Sequence, residues 1–169
     1  MNKGRSNAIP KDAVSEDQPE PRYAPPDIEF GELAETIGFS LRLAQQASFQ
    51  AFARRVGASD LRPGFYATLA LIHENPGISQ TALSQANGRD KSTLTPVLDD
   101  LERRGLVLRE RLATNRRSYS LTLTTEGVKA LKTLRSHARA HDKALDELID
   151  PSHKEEFLRS LRKIIAHLA

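Results

Sequence analysis

The sequence predicts a mainly α-helical fold with one small β-hairpin set into it. Three observations predict it. From Ile28 onward apolar residues recur at three-and-four spacing, the spacing gives way to alternation between Leu106 and Leu123, and capping residues and glycines punctuate the helical stretches. A length of 169 residues fits one folded domain plus a tail.

Residues 1–27 hold five of the nine prolines and few large apolar side chains. Such a segment cannot bury enough surface to offset its ordering entropy, so it is expected to be a disordered, acidic, proline-rich tail. The folded domain is expected over 28–169. Leu33, Ile37, Leu41, Ala44, Ser48 and Phe52 keep one face, which predicts a single long helix from Ile28 to about Arg55, stopped by Gly57. Pro63 stands where a first helical residue belongs, and Phe65, Leu69 and Ile72 form the stripe of a second helix. Asn75, Pro76 and Gly77 make a turn. Ser79 caps a short third helix with Leu83 inward, ending near Asn87 and Gly88. Asp90 caps a fourth, with Leu94, Leu98 and Leu101 as its buried row and Gly105 as its end. Pro96 lies inside it and removes one intrahelical hydrogen bond, so the helix is either kinked there or starts nearer Thr93. Two short helices joined by a glycine-containing turn are a helix-turn-helix unit.

Leu106, Leu108 and Leu112 then alternate imperfectly, and Tyr119, Leu121 and Leu123 strictly, as two strands joined by a polar loop over 113–117. Thr124 can cap a fifth helix, on which Leu131, Leu134, Ala138, His141, Leu145 and Leu148 repeat as a coiled-coil-like seam. After Pro151, Phe157, Leu161, Ile164 and Leu168 line a sixth. The expected organisation is a winged helix-turn-helix over 61–124, flanked by terminal dimerisation helices over 28–56 and 125–169. Those outer helices carry continuous apolar faces, which a second copy of the chain would cover.

The net charge is only +3, but its distribution is uneven. Residues 1–30 carry a net of −2, whereas 89–117 carry eight Arg or Lys against five acids. A sequence-local basic block is the footprint of phosphate contact. The absence of cysteine excludes a thiol redox sensor, a cysteine zinc site and a disulfide scaffold. The longest mainly apolar stretch, 65–72, is far short of the roughly 20 residues that span a bilayer, and the N-terminus lacks the apolar core of a secretory signal. A cytoplasmic location without membrane attachment is expected. There is no phosphate-binding glycine loop, nucleophile elbow or HExxH motif, so neither catalysis nor a cofactor is expected. His137 and His141 are one helical turn apart, a spacing able to hold a divalent metal. No second pair of ligands is evident and His141 falls on the apolar seam, so no metal site is expected.

Opposite the buried leucines of the fourth helix lie Ser92, Pro96, Asp99 and Arg103, with Lys91, Thr93 and Thr95 flanking its N-terminal half. In helix-turn-helix readers that half enters the major groove, where hydroxyls, ammonium groups and small apolar surfaces meet base edges and phosphates. In the hairpin, Arg116 and Arg117 stand at the tip and Arg109 and Arg111 on the feeding strand; an arginine at such a tip can enter a narrow minor groove. With Arg89 just before the helix cap, these residues are the expected contacts to double-stranded DNA. The competing reading, a helical protein-interaction module without specific DNA binding, rests on the seam over 131–148. It does not explain why the arginines gather on the hairpin.

The stretch from Lys91 to Gly127 resembles the MarR family of bacterial transcription regulators. The matching residues are Lys91, Ser92, Thr93, Leu94 and Thr95, then Leu98, Asp99, Leu101, Glu102, Gly105, Leu106 and Val107. They continue with Asn115, Arg116, Arg117 and Ser118, and Leu121, Thr122, Leu123, Thr124 and Gly127. With the helix order on either side, the resemblance covers about residues 30–168. It implies a homodimer built from the terminal helices, pseudo-palindromic operators, ligand pockets between dimer helices and lobes, and a wing arginine at Arg117. Two positions depart from the family pattern. Asn115 replaces a wing acid, which implies a missing brace, and Pro96 replaces a residue that is often basic. Without cysteine a peroxide signal is excluded, and a small organic effector is expected to release a repressor from DNA. The resemblance looks closest to members handling aromatic acids or their coenzyme A thioesters. Candidate pocket residues are Phe39, Arg42 and Phe49 on the first helix and Arg62, Phe65, Tyr66 and His73 around the second.

Overall fold

A computed structural model describes residues 28–57, 64–112 and 115–168, which form six α-helices and one three-stranded antiparallel sheet. The expected tail, Arg62, Pro63 and the residues 113–114 lie outside that set. The chain divides into two compact units at Ser40. In the described part of the first unit, a 3₁₀ turn over Gly31–Glu35 is followed by Thr36 in extended conformation (φ −90°, ψ 133°). The Phe30 and Phe39 rings lie 5.5 Å apart. The single helix expected from Ile28 is therefore broken, and α1 runs over Ile37–Val56. The cause is local: the Thr36 hydroxyl donates to the Leu33 carbonyl at 2.9 Å, competing with a helical continuation. The Thr36 carbonyl then accepts the Ser40 N–H at 3.1 Å as α1 begins. Three-and-four spacing survives this break, so periodicity alone reads through it.

The second unit holds the core. Gly57 closes α1 at φ 67°, a backbone region glycine enters without a Cβ clash. α2 (Phe65–Glu74) buries Phe65, Leu69 and Ile72 as its pattern predicts. β1 (Ile78–Ser79) was not legible as a strand; it pairs with β3 through Ile78 and Leu121. α3 (Gln80–Ala86) is capped by the Ser79 hydroxyl, which accepts the Ala82 N–H at 3.1 Å. α4 (Lys91–Arg103) starts at Asp90 as expected and runs unbroken through Pro96, with Leu94, Leu98 and Leu101 fully buried. The helix thus does not start nearer Thr93.

The sheet has the order β1-β3-β2, with β2 over Val107–Leu112 and β3 over Asn115–Leu123. The phase of β2 differs from the expectation. Val107 is buried and Leu108 is 48% exposed, because the Val107 and Arg109 side of the strand faces inward. Asn115, Arg116 and Arg117 also belong to β3 rather than to a loop, since Leu112 pairs with Asn115.

α5 (Thr125–Asp146) is capped by Thr124, whose hydroxyl accepts the Gly127 N–H at 3.0 Å. It buries Leu131 and Leu134 but ends before Leu148, which is 82% exposed, so the seam is one residue row shorter than predicted. Gly127 is held against the base of the hairpin: a Cβ there would lie 1.9 Å from the Leu106 carbonyl oxygen. α6 (Lys154–Leu168) carries the expected apolar face but buries none of it. Among the described residues no helix is long and apolar enough to cross a membrane.

Candidate nucleic-acid interface and cavity

The N-terminus of α4 is a tightly tied cap. Asp90 accepts from the Thr93 N–H at 2.8 Å, the Thr93 hydroxyl at 3.0 Å and the Ser92 hydroxyl at 2.5 Å. The Ser92 hydroxyl first, then Thr93, holds the Asp90 carboxyl down from 3.8 to about 2. Lys91, Ser92, Thr93 and Pro96 are exposed on the surface. Thr95 is half-buried: its hydroxyl donates to the Lys91 carbonyl at 2.7 Å and accepts from Gln80 at 2.9 Å, which fixes α3 against α4. Arg103 is largely exposed beside Asp100, with which it is paired.

The hairpin arginines divide into two kinds. Arg109 is only 13% exposed, contacts Asp99 at 2.9 Å and Glu102 at 3.4 Å, and lies 5.5 Å from the centre of the Tyr119 ring. Arg109, placed among the DNA contacts from sequence, ties the hairpin to α4, because its strand position faces inward toward two acids of that helix. The Asn115 side chain, where a brace was expected to be missing, lies outside the described residues. Arg111 is exposed, and its guanidinium also lies over the Tyr119 ring, 5.9 Å from its centre. Arg116 and Arg117 open β3, and their side chains lie outside the described residues. Sequence reasoning missed Tyr119, Gln80, Asp99 and Glu102 as the residues that organise this surface. Only the helical offset of the two acids could have hinted at the brace.

A cavity of about 480 Å³ opens behind the surface, lined from α1 by Gln45, Ser48, Phe49 and Phe52 and from α2 by Tyr66 and Ala67. Ala138, Arg139, His141 and Asp142 of α5 complete it, with Gly64 and Arg89. Ser48 and His141 share a hydrogen bond of 2.9 Å across it, and the His141 ring lies 5.5 Å from Phe52. The buried Nδ1 of His141 has no hydrogen-bond partner among the described residues. Of the candidate pocket residues, Phe49 and Tyr66 line this cavity. Phe65 does not, being 2% exposed in the core, where Arg104 lies over its ring at 5.6 Å. Arg42 is exposed and reaches Gln46 at 3.3 Å, His73 is exposed at the end of α2, Phe39 packs on Phe30, and Arg62 lies outside the described residues. Arg89 was expected on the DNA side. Its guanidinium lines the cavity, where a Cβ on Gly64 would meet it at 3.3 Å. Among the described residues no group of three or more His, Cys, Asp or Glu is arranged to hold a metal.

Comparison with known proteins places this geometry. The MarR family model matches residues 62–119. A putative transcriptional regulatory protein for the hcr operon of Thauera aromatica is 32% identical over 139 residues, covering 82% of this chain and 84% of its own. The transcriptional repressor CouR bound to a 23-mer DNA duplex superposes with a TM-score of 0.72 at 33% identity, over 82% of this chain and 99% of its own. CouR bound to p-coumaroyl-CoA gives 0.73 at 30% identity, over 85% and 100%.

Proposed function

This chain belongs to the MarR family of transcriptional regulators, and from there we propose that it is a repressor that a small organic effector releases from a pseudo-palindromic operator. Its relatives are regulators, not enzymes. The observation that carries the effector half is the cavity of about 480 Å³, within the roughly 300–1,000 Å³ of small-molecule sites. Apolar walls from Phe49, Phe52, Tyr66 and Ala138, with a few polar groups, suit an aromatic acid or its coenzyme A thioester. That CouR has been solved with p-coumaroyl-CoA supports the same class.

In this reading Lys91, Ser92, Thr93, Thr95 and Pro96 enter the major groove, Arg103 and Arg111 meet phosphates, and Arg116 and Arg117 reach the minor groove. Arg109 acts through the brace. A homodimer is typical of the family, and α6, with Phe157 46% and Ile165 65% exposed, supplies an apolar face for a second copy to cover. The dimer would be built from residues 28–56 and 125–169, leaving 61–124 as the DNA-reading lobe.

Fluorescence anisotropy on DNA from upstream of the chain's own gene, against scrambled DNA across a salt series, tests this. The expected result is a preference of about a thousandfold or more at physiological salt and a steep loss of affinity as salt rises. Adding p-coumaroyl-CoA or an aromatic acid should then release the DNA. Failure to bind either DNA at low salt, with the dimer confirmed, would favour the interaction module instead.

A further inference from the structure

We propose that Arg89 is the seat of an effector anion and transmits its presence to α4, and that it is not a phosphate ligand for DNA. The inference rests on the effector reading above and names the residue through which it works. Arg89 immediately precedes Asp90, the cap of α4. With Phe49 and Gly64 it forms a wall common to two cavities: the one of about 480 Å³, and a second of about 220 Å³ whose far side is Pro96, Val97 and Asp100 of α4. These three are the lining residues that the two cavities share.

Three features fit the role. First, no carboxylate is paired with Arg89 among the described residues, whereas Arg109 holds Asp99 and Glu102, and Arg103 and Arg104 both hold Asp100. A planar guanidinium with its donor fork uncommitted, at the edge of an apolar cavity, matches a carboxylate or phosphate group. Second, the wall is closely fitted at Gly64, where an added Cβ would lie 3.3 Å from the guanidinium. Third, the Arg89 backbone cannot yield independently. Its N–H donates to the Ser84 carbonyl at 3.2 Å and its carbonyl accepts the Ser84 hydroxyl at 2.5 Å, and Ser84 is buried in α3. A guanidinium drawn toward an anion in the larger cavity leaves the side that faces Asp100, and the pull falls on the turn that sets the start of α4. Asp100, on the α4 side, is already held by Arg103 and Arg104, and in the larger cavity Asp142 and Arg139 share the lining with Arg89.

The test uses the full chain as wild type, Arg89→Gln and Arg89→Lys. In DNA titrations across salt, Arg89→Gln is expected to keep the wild-type slope; a fall of about 0.9 in the slope would identify a lost phosphate contact and overturn the proposal. In calorimetry, wild type should bind p-coumarate roughly tenfold or more tighter than its uncharged methyl ester. Arg89→Gln should lose that preference and Arg89→Lys keep part of it. p-Coumaroyl-CoA distinguishes the anion: a loss of thioester binding with acid binding intact would assign phosphate. At concentrations that occupy each protein, the acid or thioester should release DNA from wild type and not from Arg89→Gln. If Arg89→Gln binds and responds as wild type does, this inference alone fails. If wild type binds neither probe, the effector reading fails with it.

Discussion

Replacing Gly127 with alanine should destabilise the protein even though alanine is the better helix former. In an exposed helix interior the change is worth about 1 kcal/mol in alanine's favour. At Gly127 the added Cβ would lie 1.9 Å from the Leu106 oxygen and 2.9 Å from its carbonyl carbon, and reaching ordinary contact near 3.4 Å requires an opening of about 1.5 Å. The obstacle is backbone, so no rotamer change relieves it. That opening would break the Thr124 N–H bond to the Leu106 carbonyl, now 3.1 Å, and the Thr124 hydroxyl bond to the Gly105 carbonyl, now 2.6 Å. Two hydrogen bonds at about 1 kcal/mol each and an overpacking cost of about 1–3 kcal/mol, less the helix gain, leave a net loss of about 2–4 kcal/mol. Urea unfolding at fixed protein concentration reads this as a midpoint lower by about 1–2 M. Gly38 in α1 is the control: nothing lies within 4 Å of its added Cβ, so Gly38→Ala should hold or raise the midpoint. A Gly127→Ala protein as stable as Gly38→Ala would refute the close-approach argument.

Asp90→Ala should lower the urea midpoint near neutrality, and the gap to wild type should close in acid. The Asp90 carboxyl is depressed in the folded state, so its contribution is full above 3.8 and is lost as pH falls from there toward about 2. A gap that stays constant down to that pH would contradict the cap's charge-assisted role. Arg109→Ala should cost about 1 kcal/mol from its partly exposed ion pairs and ring contact, and speed amide exchange in β2 and β3. DNA affinity should fall while the salt slope holds; a slope smaller by about 0.9 would make Arg109 a direct phosphate contact after all. Ser48→Ala removes the hydrogen bond between α1 and α5 and should cost about 1 kcal/mol in urea unfolding. No change there would mean that the pair contributes nothing to holding the cavity wall.

What was legible in the sequence is what is decided locally. Ser79, Asp90 and Thr124 each cap a helix through a bond three residues long, and Leu94, Leu98 and Leu101 recur at the helix period, so both signals sit within one turn or two. β1 was invisible because two residues carry no period; its existence depends on Leu121, far along the chain. The hairpin arginines look alike in sequence, yet strand phase sends Arg109 inward to Asp99 while Arg111 stays exposed. The cavity was legible only through Phe49 and Tyr66. Ser48 and His141 meet across more than ninety positions, and nothing near either residue marks the other as its partner. Arg89 lines the cavity for a reason of the same kind: proximity to a helix cap in sequence says nothing about which way a long side chain leaves the turn.

The Arg109 brace has a mechanical consequence. Asp99 and Glu102 belong to α4 and Arg109 to β2, so helix and hairpin are pinned like the two legs of a caliper locked at one opening. On a duplex, the distance from one major groove to the neighbouring minor groove varies with twist and groove width, which depend on base sequence. In the DNA-bound state proposed above, a braced helix and hairpin would resist those variations, so part of the adjustment would fall on the duplex. Steps that over- or underwind easily would then raise affinity at base pairs the protein never touches. Freeing the legs, as Arg109→Ala would, should flatten that dependence more than it weakens the contacts themselves.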